Sequence, residues 1–292
     1  MRSATTNQHY VPQLLLKHFV SGDSKDVFVF DKHTGRSFRT SIKGVAFGSG
    51  FYDYEVDGES YSVDPLLTRM ENVASRIIGR IVAARNLHLL SASDRKIVAL
   101  FAAVQMLRTE AQRKEMKDLS DTFHYALGSA GMDPAKVQGF DFLDAAQTRV
   151  FSITSLPSLA ANLMPYFLNK SWILHSTTEE YPFYISDNPV SRFNRNEHRF
   201  LSMLGLRARG IQIYLPLSST LCLGFLCPSI KLPLRIRLFG GTLGLRPAKV
   251  EHLNSLQVFN AEQYIYSQDD DFALVRDMLR KLPEVKHGPR WA

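Results

Sequence analysis

Only two cysteines occur in the 292 residues, Cys222 and Cys227, both within "LCLGFLC". On a strand, a separation of five residues sends their side chains to opposite faces, so the two are not placed to bridge or to share a metal ion. They read as buried apolar fillers in a reducing compartment. No apolar run approaches the roughly 18 residues needed to span a bilayer, and "MRSATTNQHY" lacks the apolar core of a secretory leader. A cytoplasmic, non-membrane protein is expected. The nine histidines show no HxH, HExxH or Cys/His ligand spacing, so a zinc signature is missing. P-loop, GxGxxG and GxSxG patterns are missing too; "FGSG" at 47–50 and "FGGTLG" at 239–244 carry glycines without phosphate-cradle spacing. There is also no internal repeat, low-complexity tract or linker that would divide the chain.

What is present is a globular composition, 45% hydrophobic and 22% charged, with enough apolar residues for one large core or two modest ones. Lys and Arg number 35 against 28 Asp and Glu, a net charge of +7. That field favours anionic partners such as nucleic acid, nucleotides or phosphate esters. The surplus forms no stripe, only loose concentrations at 192–209 and 235–249.

Local patterning predicts an α+β protein: a helical lobe plus a mostly antiparallel sheet in a single compact unit spanning 1–292. Residues 1–63 hold an N-terminal segment and hairpins. A short helix is expected over 10–20, with the polar cluster Asn7, Gln8, His9 and Tyr10 at its start. "DVFVFDKHTGRSFRTSI" and "GFYDYEVDGESYSV" read as hairpins, the second turning at "VDGE". Residues 64–168 form the helical lobe, with one helix from Asp64-Pro65 to about 85 and another from "SASDRK" to beyond 115. Residues 169–292 form the sheet lobe, built on "KSWILHST", "PFYIS", "GIQIYLPLS" and "TLCLGFLC", with helices at "PAKVEHLNSLQVFNAEQ" and "DDDFALVRDMLRKL" and an edge strand at "YIYS".

Two places break the local rules. Arg108 falls on the apolar stripe of Ile97, Phe101 and Val104, with Gln105 nearby, so its guanidinium needs an acid or a bound anion. Glu71, at the edge of the apolar face of the preceding helix, is a geometrically reasonable partner. The bland alternative is a structural ion pair. In "YISDNPV", Asp187 and Asn188 follow a strand and precede a proline; this is either a plain Asp-Asn-Pro turn or a rigid strand-end site. His9 is either a hydrogen-bonding cap or a general base, its reference pKa lying near 6.5.

"NQHYVPQLLLKHF", "VFDKHTG", "GFYDYE", a Glu on the following helix, "QMLRTEAQR", "FYISDNPV" and "IYLPLS" resemble, in order and over most of the chain, a widespread bacterial family known only as domain of unknown function 4238. The resemblance implies that His9, Arg108 and Asp187 belong to one recurring pattern, and hence to a shared pocket or a shared folding requirement. Three functions follow as expectations. The first is a phosphodiester hydrolase, a nuclease of the defence or toxin kind. In it His9, Glu71 and Asp187 act as catalytic groups or hold Mg²⁺ or Mn²⁺, while Asn7, Lys17, Gln105, Arg108 and Asn188 bind substrate. The second is a non-catalytic binder of a nucleotide or other small anion, clamped by Arg108. The third is an interaction scaffold whose motif residues lock the N-terminal segment onto the sheet.

Overall fold

The structure, a computed structural model, describes residues 7–22, 24–133, 144–195, 204–232 and 241–287. Parts of both loose basic concentrations (196–203 and 233–240), the first two residues of "FGGTLG" and the last five of the tail lie outside them.

The first segment departs from expectation. Residues 7–9 form strand β1 (Asn7–His9), and the helix shrinks to one turn, α1 (Gln13–Leu16). Pro12 is extended, with ψ 145°, and the N–H groups of Tyr10 and Val11 bond the Ala46 carbonyl instead of starting a helix. Both expected hairpins form. β2 (Asp26–Asp31) pairs with β3 (Arg36–Ser41), and after β4 (Phe47–Ser49), which pairs with β1, come β5 (Asp53–Val56) and β6 (Glu59–Ser62). Asp57 and Gly58 both have positive φ, 54° and 77°, as a two-residue hairpin turn of the primed type requires.

The helical lobe starts with α2 (Asp64–Ala84), which has Pro65 in its first turn and buries Leu67, Ala74, Ile77, Ile78 and Ile81 on one face. The next helix is shorter than expected. α3 (Ala92–Leu107) is launched by a Ser91/Asp94 capping box but stops before Arg108, and Thr109 then caps α4 (Glu110–Ser129). The last ten residues of α3, apart from Leu100, are buried, so it is the central helix of the lobe. α5 (Ala145–Thr154) and α6 (Leu156–Leu168) follow, α6 packing along α3.

Beyond residue 169 the chain forms β7 (Ser171–Ser176), β8 (Ile185–Ser186), β9 (Ser191–Asn194), β10 (Ile211–Ser218), β11 (Leu221–Leu226), β12 (Thr242–Gly244), α7 (Pro247–Asn260), β13 (Tyr264–Ser267) and α8 (Ala273–Lys281). A five-stranded sheet has the order β12-β7-β11-β10-β9, antiparallel except at β12-β7. A four-stranded antiparallel sheet has the order β3-β2-β13-β8, so the first hairpin completes a sheet begun by the C-terminal region. β13 is therefore interior, not the edge strand expected, and Ile265 and Tyr266 are fully buried. The main core runs from Tyr10 through Phe101 and Phe167 to Leu215 and Tyr266, without a break between helical and sheet regions. Among the described residues no helix is long and apolar enough to cross a membrane. Both cysteines are free; Cys222 is fully buried as expected of an apolar filler, whereas Cys227 is only half-buried, its sulfur accepting from the Ser229 hydroxyl at 3.1 Å.

One buried group sets an acid limit. His175 on β7 is 7% exposed, and neither ring nitrogen has a hydrogen-bond partner among the described residues. Burial pushes its pKa down from 6.5 to about 4. A base with a depressed folded pKa contributes stability above pH 6.5 that is lost as pH falls toward 4, here up to about 3 kcal/mol. The expected result is a melting temperature that drops between pH 6.5 and 4, more steeply in the parent than in His175→Leu. Parallel curves would show that the imidazole does not titrate in this range.

Candidate functional site

The polar cluster at the N-terminus is held through the Gln8 side chain and the His9 and Tyr10 carbonyls. Gln8 is buried: its Oε1 accepts from the Tyr52 N–H at 2.5 Å and its Nε2 donates to Asp53 at 2.7 Å. The Tyr10 carbonyl accepts from Arg108 Nε at 2.9 Å and Gln105 Nε2 at 2.8 Å. The His9 carbonyl accepts from a second Arg108 nitrogen at 3.0 Å and from the Tyr52 hydroxyl at 3.2 Å. The remaining guanidinium nitrogen, NH1, meets Glu71 Oε1 at 2.6 Å, so the expected pair forms. Arg108 is 2% exposed with every nitrogen engaged. It ends α3 because its fork is turned onto β1, and Gln105, one turn earlier, does the same work. Neither is an anion clamp facing solvent.

"SDNP" is a second clamp. Asp187 is buried, and its oxygens accept the N–H groups of Glu262, Gln263 and Tyr264 at 2.7–2.8 Å. It is not the plain turn in which the carboxylate bonds its own backbone: it caps the connection between α7 and β13. Lys32, also buried, donates to the Val258 and Ala261 carbonyls on the other side of that connection. Burial pushes the Asp187 carboxyl up to about 6, against the pull of the three N–H donors and Lys32. Asn188 accepts from the Thr109 hydroxyl at 3.1 Å and donates to the Asn260 carbonyl at 3.0 Å. Gln257 and Asn260 of α7 hold the Pro189 and Val190 carbonyls. The proline turn marks the loop in the sequence; the amides on α7 carry no comparable signal because they sit within an ordinary helical pattern.

What faces solvent is different. Asn7, His9, Gln13, Leu14, Lys43, Asp64, Thr68, Glu71, Asn72 and Ser75 line an open cleft of about 470 Å³ between β1, α1 and α2. Lys17 reaches it by donating to the Ser75 hydroxyl at 3.2 Å. His9 Nε2 lies 3.3 Å from Gln13 Nε2. Burial lowers the His9 pKa, with Glu71 pulling the other way, so the ring is neutral at pH 7 and able to accept a proton. Glu71 Oε1 is fixed by Arg108, while Oε2 has no hydrogen-bond partner among the described residues.

Of the residues singled out by sequence, the cleft gathers Asn7, His9 and Glu71, with Lys17 at its end. Gln105 and Arg108 stand behind it as braces. Asp187 lines a separate pocket of about 60 Å³ with Tyr10, Glu262 and Tyr264, and Asn188 belongs to the loop clamp. The metal set of His9, Glu71 and Asp187 is thus not assembled: among the described residues no group of three or more His, Cys, Asp or Glu is placed to hold a metal ion. The physical reason is that the Asp187 oxygens are taken by three backbone donors. Lys43, Asp64, Thr68, Asn72 and Ser75 were not singled out. The four of them on α2, all but Lys43, follow its helical period, but solvated polar faces share that pattern.

A family model described as a protein of unknown function, DUF4238, matches residues 7–271. The chain belongs to the DUF4238 family. The match takes in both clamps and the whole cleft. No curated protein and no solved structure matches the chain.

Proposed function

We propose that this DUF4238 protein hydrolyses a small phosphodiester in the β1/α1/α2 cleft, with His9 as general base. The observation that carries this reading is the pairing, in one open cleft, of a neutral imidazole with a carboxylate braced from behind by a buried arginine. A water oxygen attacks phosphorus and gives its proton to His9; the P–O ester bond breaks, and the leaving oxygen takes a proton from solvent at the open mouth. Glu71 steadies the imidazolium that forms, and Lys43 offsets charge on the phosphoryl oxygens. The cleft volume falls within the usual range for small-molecule sites, about 300–1,000 Å³. The neighbouring hairpin also argues for a small ligand over a polynucleotide, since residues 53–64 contain Asp53, Glu55, Asp57, Glu59 and Asp64 with no Lys or Arg.

The test is hydrolysis of bis(p-nitrophenyl) phosphate, dinucleotides and single- and double-stranded DNA and RNA, each with EDTA, Mg²⁺ or Mn²⁺. Turnover of the small diesters is expected to persist in EDTA and to fall about 10²- to 10⁴-fold in His9→Ala. Its kcat/KM should lose activity on the acid side of a pKa below 6.5. Turnover unchanged in His9→Ala, or none with any substrate by the folded parent, overturns the reading. Strict dependence on added metal would restore the expected Mg²⁺ or Mn²⁺ chemistry in place of this one.

A further inference from the structure

β3 forms the rim of the four-stranded sheet, and β6 belongs to a hairpin that joins no larger sheet. The Ile42 N–H bonds the Lys25 carbonyl, and the antiparallel ladder alternates from there, so β3 turns the backbone groups of Ser37, Arg39 and Ser41 away from β2. Counting likewise from the Val63 N–H bond to the Tyr52 carbonyl, β6 turns those of Ser60 and Ser62 away from β5. No further strand covers either edge among the described residues. Open edges recruit another strand, and a two-stranded hairpin is marginal until it gains one. The two edges are opposite in charge. Residues 36–43 contain Arg36, Arg39 and Lys43 and no acid, whereas residues 53–62 contain Asp53, Glu55, Asp57 and Glu59 and no Lys or Arg. Each edge also shows an aromatic side chain to solvent: Phe38 is 45% exposed and Tyr61 39%, with Val56 exposed on the same face of the hairpin as Tyr61.

From this complementarity we infer that the protein self-associates by adding the β6 edge of one copy, antiparallel, to the β3 edge of a second. Matching outward groups to outward groups sets Ser37 of one copy against Ser62 of the other, and Arg39 against Ser60, as hydrogen-bonded pairs. Phe38 then faces Tyr61 in the non-hydrogen-bonded position between them, where side chains approach most closely. On the opposite face Arg39 passes over the small Ser60 side chain toward Glu55, the neighbour of Ser60 across the hairpin. Lys43 falls beside the turn at Asp57. Arg39 gives up little to make this contact, because its own pair with Asp26, at 3.4 Å, is exposed on both sides. Pairing like edges would instead bring arginines together at β3 and carboxylates together at β6. Exchanged in both directions the contact closes a two-fold pair; in one direction it propagates.

Sedimentation velocity on the full-length protein, at low and at high salt, reads the association. The parent is expected to sediment faster than a monomer in low salt and to dissociate as salt rises. Arg39→Glu and Glu55→Arg are each expected to weaken association about tenfold. An equimolar mixture of the two should recover it, because both contacts between unlike copies are then complementary. Ser60→Pro removes an outward N–H while sparing the ladder inside the hairpin, and a loss of the same order is expected. Melting temperatures close to that of the parent check that the variants fold; should the proline variant unfold, the charge pair decides alone. A parent that stays monomeric in low salt up to about 100 μM overturns the inference. So do charge reversals without mutual rescue, or a folded Ser60→Pro protein that associates like the parent.

Discussion

Replacing Arg108 with Met is expected to destabilise the protein by about 3–5 kcal/mol, the cost of breaking a buried, hydrogen-bonded ion pair from one side. Three groups each lose one partner at once: the His9 carbonyl, the Tyr10 carbonyl and Glu71 Oε1. Tyr52 and Gln105 still serve the two carbonyls, which limits the loss there, but Glu71 is left with a charge at the back of the cleft. Met fills the stem volume, so the change reports the head group rather than a cavity. Arg108→Lys should recover only part of the loss, because one ammonium cannot meet three acceptors lying along the fork of a guanidinium. Chemical denaturation of the three proteins measures this. A loss below about 1 kcal/mol for the Met variant would mean that β1 is not fastened through Arg108.

How far these features were legible from sequence depends on whether the signal was local. The hairpin at Asp57-Gly58, the start of α2 at Asp64-Pro65 and the capping box at Ser91 and Asp94 are short-range codes, and each fell where expected. The Glu71–Arg108 pair was readable because a charge on an apolar stripe demands a partner and helical period limits the candidates. The strand at 7–9 was not readable, since its partner, residues 47–49, lies across a hairpin and nothing local distinguishes it from a helix cap. β13 was placed at an edge because four residues of "YIYS" do not show that β2 and β8 flank it. The same limit governed the site. His9 and Asp187 stand out equally in sequence, yet the chain turns the imidazole toward solvent and Asp187 into the backbone of residues 262–264. A carboxylate in a family pattern looks the same whether it serves chemistry or folding; only its hydrogen-bond partners tell the two apart.

That distinction yields the second large effect. Asp187→Ala is expected to destabilise the protein by about 3–5 kcal/mol, whereas His9→Ala should cost no more than about 1 kcal/mol. Alanine at 187 leaves the N–H groups of Glu262, Gln263 and Tyr264 without their acceptor in a place where water does not easily replace it. It also removes the negative charge near Lys32, whose ammonium then keeps only the Val258 and Ala261 carbonyls. The effect should extend beyond the connection between α7 and β13, because Asp187 N–H bonds the Tyr264 carbonyl next to the β8–β13 pairing. Asp187→Asn serves as the graded control: one amide oxygen can accept two of the three donors, while its NH₂ must face the third, so a loss between parent and Ala is expected. His9, by contrast, gives up a contact to Gln13, a hydrogen bond with the Ile42 backbone and its packing on Phe47 at the edge of an open cleft. Denaturation midpoints and activity, measured together, separate the roles: Asp187 variants should lose stability, and the fraction that stays folded should keep its turnover. His9→Ala should stay folded and lose turnover. An Asp187→Ala protein as stable as the parent yet inactive would return Asp187 to the chemistry and end its assignment as a fastener.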